Sequence, residues 1–192
     1  MERHASPYIV ISIGIIAASF AAIFIKLAGE APAIVISVYR LVIATVIMTP
    51  FYLRRGVSGH KDVPPKVLIW NIISGLVLAL HFLGWISSLK VTTVSRSVVL
   101  VSTSPLFVAI FGRLFLKEKL SPTIVAGLIA SITGITIMTT WETSLTGGNI
   151  RGDLLAILGA VCASGYFLIG RILRQRISNT MYSYIAYATA SI

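Results

Sequence analysis

Three basic residues lie inside long apolar stretches of the sequence: Lys26, Arg40 and Arg96. A charge at the centre of a bilayer costs roughly 2.5–3.5 kcal/mol even on the most lenient insertion scales. Arg40 lies too deep in its stretch for its side chain to reach the interface with ease, so we expect a buried or cavity-facing role. For Lys26 and Arg96, snorkelling to the interface is an equal alternative. Facing a cavity, the three cations would attract a substrate that carries a carboxylate.

Small polar residues recur at seven-residue spacing, which places each set on one face of a helix. Ser19 shares a face with Lys26, and Ser88 shares one with His81, while Trp85 follows His81 by one turn. Two interpretations are open: hydrogen bonds between packed helices, or the wall of a water-filled cavity. The His81–Trp85 pair favours the cavity, because it places a titratable donor beside an aromatic surface.

A proline interrupts the fourth apolar stretch just after two hydroxyl residues. Pro105 removes one backbone donor and predicts a kink directly after Ser102 and Thr103. Kinked helices often line binding sites, so we add both hydroxyl residues to the candidate set. The predicted substrate-binding residues are Ser19, Lys26, Arg40, His81, Trp85, Ser88, Arg96, Ser102 and Thr103.

The elements that must position these residues are apolar segments long enough to cross a bilayer. Only 11% of the 192 residues are charged, against roughly a quarter in soluble domains. Unbroken apolar runs of about 20 residues predict transmembrane helices rather than the alternating strands of a barrel. The predicted segments are Tyr8–Ala28, Ala31–Leu53, Val67–Leu89, Val94–Leu116, Thr123–Trp141 and Asp153–Ile172, with a seventh from Thr180 onwards. The fold class is therefore all-α, a polytopic membrane helix bundle.

The connectors between these segments differ sharply in charge. Alternate connectors collect 11 basic residues on one side of the membrane and 2 on the other. Basic connectors stay in the cytoplasm, so we expect a cytoplasmic N-terminus in a multi-pass protein of the cytoplasmic membrane. This pattern also explains the net charge of +10 without a nucleic-acid partner, since no aromatic-basic patch accompanies it.

The sequence contains no recognisable catalytic motif. It has no zinc-protease motif, no phosphate-binding loop and no cysteine cluster, because Cys162 is the only cysteine. We therefore expect neither an enzyme nor a metal or other cofactor.

The first and sixth segments show a weak internal sequence similarity. At an offset of 145 residues, Gly14 matches Gly159 and Ala18 matches Ala163. The second copy begins five spans after the first, so the two copies cross the membrane in opposite directions. Inverted repeats of this kind are typical of transporters.

The chain resembles the EamA-type branch of the drug/metabolite transporter superfamily. The similarity lies in "APAIVISVYRLVIATVIMTPF", "LALHFLGWISSLKVTTVSRSVVLVSTSPLFVAIFGRLFLKEKLSP", "AGLIASITGITIM" and "GDLLAILGAVCASGYFLIGRIL". The resemblance implies ten helices in inverted five-helix repeats around a central cavity, of which about six and a half fall within this sequence. It implies a first repeat at 1–141, an extracytoplasmic connector at 142–152 and the start of a second repeat at 153–192.

These observations predict a transporter, with export as the expected direction, for small polar metabolites such as amino acids or organic acids. The alternative is a non-transporting membrane partner or assembly module, whose polar stripes would serve helix association. The expected partners are a small-molecule substrate and the lipid bilayer, with a homodimer left open and no nucleic acid.

Overall fold

The computed structural model of the protein describes residues 7–55, 63–146 and 149–192, and its regular elements there are all α-helices. The helices are α1 (Pro7–Leu27), α2 (Ala33–Arg55), α3 (Pro65–Val91), α4 (Val94–Val101), α5 (Ser104–Phe115), α6 (Pro122–Thr146), α7 (Ile150–Leu173) and α8 (Asn179–Ala190). The predicted all-α membrane bundle is confirmed. Arg3 and Lys61, two of the predicted connector charges, lie outside the described residues.

The helix lengths fit the thickness of a bilayer. Within the described ranges, five stretches are long and apolar enough to cross a membrane: Ala33–Arg54, Pro65–Val91, Val94–Phe115, Pro122–Ser144 and Ile150–Leu173. Ile11–Leu27 is a shorter apolar stretch within α1. These stretches agree with the predicted segments to within a few residues, because length and hydropathy decide which sequence can span lipid.

The predicted kink in the fourth segment is a two-residue break between helices α4 and α5. Helix α4 ends at Val101 and α5 begins at Ser104, with Pro105 in the first turn of α5. Proline has no N–H to donate to the carbonyl of Val101 four residues earlier, so the regular ladder stops there. The amide of Thr103 donates instead to the carbonyl of Leu100, at 3.1 Å, in a tighter turn.

The centre of the bundle is the packed pair α3 and α7. A Cβ atom added to Gly159 would lie 3.2 Å from the backbone nitrogen of Trp85, and one added to Gly84 would lie 3.0 Å from the carbonyl oxygen of Leu155. Glycine at both positions lets the two backbones touch, which is how small residues support close helix packing in membranes.

Helix α8 packs against α2 and α3 and fits tightly against α7. A Cβ on Gly170 would meet the ring of Tyr182 at 2.7 Å, and one on Gly75 would meet the Cβ of Thr189 at 2.6 Å. The buried hydroxyl of Tyr182 lies 2.5 Å from the Ser74 hydroxyl and donates to the carbonyl of Tyr166 at 2.7 Å. This network ties α3, α7 and α8 together.

Contacts at the helix ends fix the relative directions of the helices. The end of α1 lies beside the end of α3, because Lys26 donates to the carbonyl of Leu89 at 2.7 Å. The start of α7 lies beside the end of α3, because a Cβ on Gly152 would meet the Cβ of Thr92 at 2.8 Å. Helix α7 therefore runs opposite to α1 and α3. Helix α6 is exposed over nearly its whole length, which suits contact with lipid.

Candidate functional site

The guanidinium group of Arg40 lies over two aromatic rings of α3. Its central carbon is 4.9 Å from the centroid of the Phe82 ring and 5.4 Å from the Trp85 ring. Stacking of this kind stabilises a cation by about 2 kcal/mol or more where water is excluded. The aromatic faces therefore hold the charge at a fixed place within the helix bundle.

The neighbouring ring of His81 extends this aromatic surface. The His81 and Trp85 rings are stacked, with centroids 6.1 Å apart and planes 15° apart. Nδ1 of His81 lies 2.9 Å from the carbonyl oxygen of Gly159 on α7. A carbonyl can only accept, so Nδ1 carries a proton and the neutral ring leaves Nε2 as an acceptor.

Helix α8 completes the site with Tyr187, which packs against the core cluster that contains Phe82 and Trp85. Tyr187 also lies within electrostatic range of Arg40. We refer to Arg40, His81, Phe82, Trp85 and Tyr187 as the Arg40 site. Its members come from α2, α3 and α8, and its histidine is held by α7, so it lies where segments from both halves of the chain converge.

Two groups of the Arg40 site could donate to a ligand. In the part of the chain that the structure describes, Arg40 forms no ion pair with a carboxylate. The indole Nε1 of Trp85 is buried and has no hydrogen-bond partner there. A cation and a buried N–H beside a flat aromatic wall can bind an anionic group and the apolar body attached to it.

Arg96 lies elsewhere, in a clamp of polar contacts between α4, α6 and α7. Its Nε and Nη2 atoms each donate to a carboxylate oxygen of Asp153 at 2.5 Å. Its Nη1 atom donates to the carbonyl of Thr139 at 3.0 Å and to the hydroxyl of Thr143 at 2.7 Å. Four of its five N–H donors are thus occupied, so these contacts favour helix positioning over substrate binding.

Lys26 and Lys90 form reciprocal contacts at the same end of the bundle. Lys26 donates to the carbonyls of Leu89 and Thr92, at 2.7 and 3.1 Å, and Lys90 donates to the carbonyl of Gly29. Cations at the last carbonyls of a helix are favoured by the helix dipole. Lys26 also borders two open cavities of about 580 and 450 Å³, so its predicted contact with a substrate stays a prediction.

Of the four hydroxyl residues in the candidate set, Ser88 alone hydrogen-bonds to the Arg40 site among the described residues, by donating to the backbone carbonyl of Trp85 at 2.7 Å. Ser88 is fully buried and bonds to the Ser97 hydroxyl at 2.5 Å, linking α3 to α4. Ser19 is exposed on α1 and donates to the carbonyl four residues before it. Ser102 is exposed and Thr103 half-buried at the break between α4 and α5. The contact of Ser88 fits the interpretation of hydrogen bonds between helices, and substrate binding by all four stays a prediction.

Three important residues were missed by reasoning from the sequence. Phe82 directly follows the candidate His81, Tyr187 lies in the tyrosine-rich last segment, and Asp153 is the partner of Arg96. The aromatic richness of the last segment was a usable signal. The Arg96–Asp153 pair joins residues 57 positions apart, and a single sequence holds no direct sign of such pairing.

Together, the bundle and the Arg40 site define a helical membrane protein with a cationic, aromatic site among its spans. The chain belongs to the EamA-like transporter family, which it matches over residues 5–140, more than half of its length. No solved structure matches the chain.

Several curated relatives are named as transporters. A riboflavin transporter of Brucella anthropi is 30% identical over 75% of this chain and 49% of its own length. Human solute carrier family 35 member G1 is 24% identical over 80% of this chain and 44% of its own length. An uncharacterized transporter of Archaeoglobus fulgidus is 27% identical over 88% of this chain and 59% of its own length. The chain spans about half the length of the curated relatives it matches.

Proposed function

We propose that this chain forms part of a transporter that moves small polar metabolites with an anionic group, such as amino acids or organic acids, across the cytoplasmic membrane. The observation that carries the proposal is Arg40, a cation inside a membrane span that stacks on Phe82 and Trp85 and pairs with no described carboxylate. Membership of a transporter family supports it.

The chemistry of the Arg40 site supports an anionic substrate over a cationic one. Arg40 has no carboxylate partner among the described residues, and a substrate carboxylate would supply one. The buried Trp85 N–H, which has no hydrogen-bond partner there, could donate to the same carboxylate. Nε2 of His81 could accept a hydrogen bond from a substrate amine or hydroxyl. A cationic drug would instead be repelled by Arg40.

The proposal includes an orientation and a domain division. We place the N-terminus in the cytoplasm, with residues 1–141 as the first repeat, 142–152 as an extracytoplasmic connector and 153–192 as the start of a second, inverted repeat. The opposite directions of α1 and α7 support this division. We propose export as the direction of net flux.

A second candidate substrate class is a flat heteroaromatic solute. The stacked His81 and Trp85 rings offer a planar surface, and two relatives are named riboflavin transporters. In this case the aromatic wall would supply most of the affinity and Arg40 would contact a polar edge of the ring. Uptake of riboflavin beside uptake of acidic metabolites distinguishes the two classes.

The test is transport of radiolabelled amino acids and organic acids in proteoliposomes, with Arg40→Gln as the variant. Loss of a hydrogen bond to a charged group costs about 1.5–3 kcal/mol, so we expect transport to fall roughly 10- to 150-fold. Arg40→Lys should retain part of the activity, because it keeps the charge. Arg54→Gln removes an exposed cation near the C-terminal end of α2; it is the matched control and should transport normally.

Equal transport by Arg40→Gln and the wild-type protein, at equal membrane levels, would refute the assigned role of Arg40. An absence of flux for every solute, together with stable capture of another membrane protein, would support the assembly-module alternative instead.

A further inference from the structure

Another cavity, far from the Arg40 site and from the two cavities beside Lys26, lies between the start of α3 and the end of α7. It has a volume of about 230 Å³ and is bordered by Lys66, Trp70 and Arg176. Its floor includes Val67 and Leu173, which are only 3% and 5% exposed. We call this cavity the interfacial cleft. It combines a basic rim with an apolar floor.

The described residues that border the interfacial cleft carry charges of one sign. Lys66 and Arg176 are both exposed, and the residues that border the cleft include no acid. Within the described ranges neither cation takes part in an ion pair, whereas nearby Arg171 is paired with Glu118 at 2.8 Å. Among the described residues the rim therefore has two positive charges without an acidic partner, which a mobile anion could approach.

The position of the cleft along the helices is that of a membrane–water interface. Lys66 is the second residue of α3, and Arg176 lies three residues beyond the end of α7. Trp70 is 45% exposed one turn into α3, which is the depth at which tryptophan side chains anchor spans at the headgroup level. A ligand in the cleft would thus have a polar part near water and an apolar part beside lipid.

The volume of the cleft limits what it can hold. Pockets that enclose a whole drug-sized ligand measure about 300–1,000 Å³, and this cleft is smaller. It suits one compact charged group whose apolar remainder lies outside, along the exposed side chains of Trp70 and Ile172. Basic pockets between helices at this level are where anionic lipid head groups bind.

We propose that the interfacial cleft binds the phosphodiester head group of an anionic phospholipid between Lys66 and Arg176, with the acyl chains lying against Trp70 and Ile172. The lipid links the start of α3 to the end of α7, the two helices that form the centre of the bundle. This site is independent of substrate binding at Arg40.

The test is native mass spectrometry of the purified protein titrated with phosphatidylglycerol or with phosphatidylcholine. The variant is Lys66→Gln/Arg176→Gln. The matched control is Lys117→Gln/Lys119→Gln, which removes two exposed charges at the same end of the bundle. A third variant, Lys66→Arg/Arg176→Lys, keeps both charges. Glycerol 1-phosphate serves as a soluble competitor.

We expect the wild-type protein to prefer phosphatidylglycerol over phosphatidylcholine. Each basic residue near a membrane surface strengthens binding of anionic lipid roughly fivefold, so Lys66→Gln/Arg176→Gln should weaken phosphatidylglycerol binding about 25-fold. The control should change it less than about threefold, and the charge-keeping variant should behave like the wild-type protein.

Three results would overturn the proposal. An equal loss in the Lys117→Gln/Lys119→Gln control would mean that only net charge matters. Unchanged lipid binding in Lys66→Gln/Arg176→Gln would mean that the cleft is not the site. Full displacement of the lipid by glycerol 1-phosphate at equal concentration would identify a site for soluble phosphate esters rather than for a membrane lipid.

Discussion

The Arg96–Asp153 clamp can be tested by a double-mutant cycle with the variants Arg96→Gln, Asp153→Asn and their combination. The clamp joins α4 to α7 through two 2.5 Å bonds, and its side chains are only 8% and 19% exposed. A second ion pair in the same protein, Arg171–Glu118, is a matched control, because its side chains are 52% and 38% exposed.

The geometry sets the expected magnitudes. Removing one partner of a fully buried ion pair leaves the other charge without compensation and costs about 3–5 kcal/mol. The clamp is part-buried, so each single variant should lose somewhat less than this. Close, desolvated pairs couple by about 1.5 kcal/mol or more, and we expect the clamp to reach that level. Exposed pairs contribute about 0.2–1 kcal/mol, so the Arg171–Glu118 cycle should give a coupling in that lower range.

The assay is the free energy of unfolding of each variant in mixed micelles, followed by intrinsic fluorescence, with transport measured in parallel. A coupling between Arg96 and Asp153 no larger than that of the exposed pair would refute the clamp. Arg96→Gln with normal stability but abolished transport would assign Arg96 to substrate binding instead.

Two further changes test the packing of the bundle. Gly159→Ala places a Cβ atom against the backbone of α3 and should destabilise the protein by about 1–3 kcal/mol. In the control Gly134→Ala the new Cβ atom meets nothing within 4 Å, so the melting temperature should be unchanged or slightly raised. Equal effects of the two variants would contradict the close crossing of α3 and α7. Lys26→Met removes the cation from the last carbonyls of α3. It should lower the free energy of unfolding by about 0.3–1 kcal/mol, and transport should persist. Abolished transport with intact stability would instead assign Lys26 to substrate binding.

The helices were predictable from the sequence because a bilayer imposes a length and a hydropathy on every span. The hydropathy pattern predicts the third segment at Val67–Leu89, and helix α3 spans Pro65–Val91. Pro105 predicts a kink in the fourth segment for a local reason, because proline has no backbone N–H to donate. Sequence alone indicated a kink there, and only the folded chain shows two separate helices.

The candidate site was harder to predict, because it depends on which helix faces meet. Arg40, His81 and Trp85 were each singled out by residue type and depth, and the structure brings them together. The same reasoning places Arg96 in the candidate set, yet its contacts are with Asp153 and α6. The sequence alone shows that a cation inside a span needs a partner that offsets the cost of its burial. Tertiary packing decides which residue is that partner.

The most direct test of an anion site at Arg40 changes the substrate rather than the protein. Counterflow in proteoliposomes would compare an acidic metabolite with its neutral amide, for the wild-type protein and for Arg40→Gln. We predict that the wild-type protein prefers the acid by at least about tenfold, as expected for a hydrogen bond to a charged group, and that Arg40→Gln transports both poorly and without preference. An equal preference for the acid in both proteins would contradict the assignment of Arg40 as the residue that binds the anionic group.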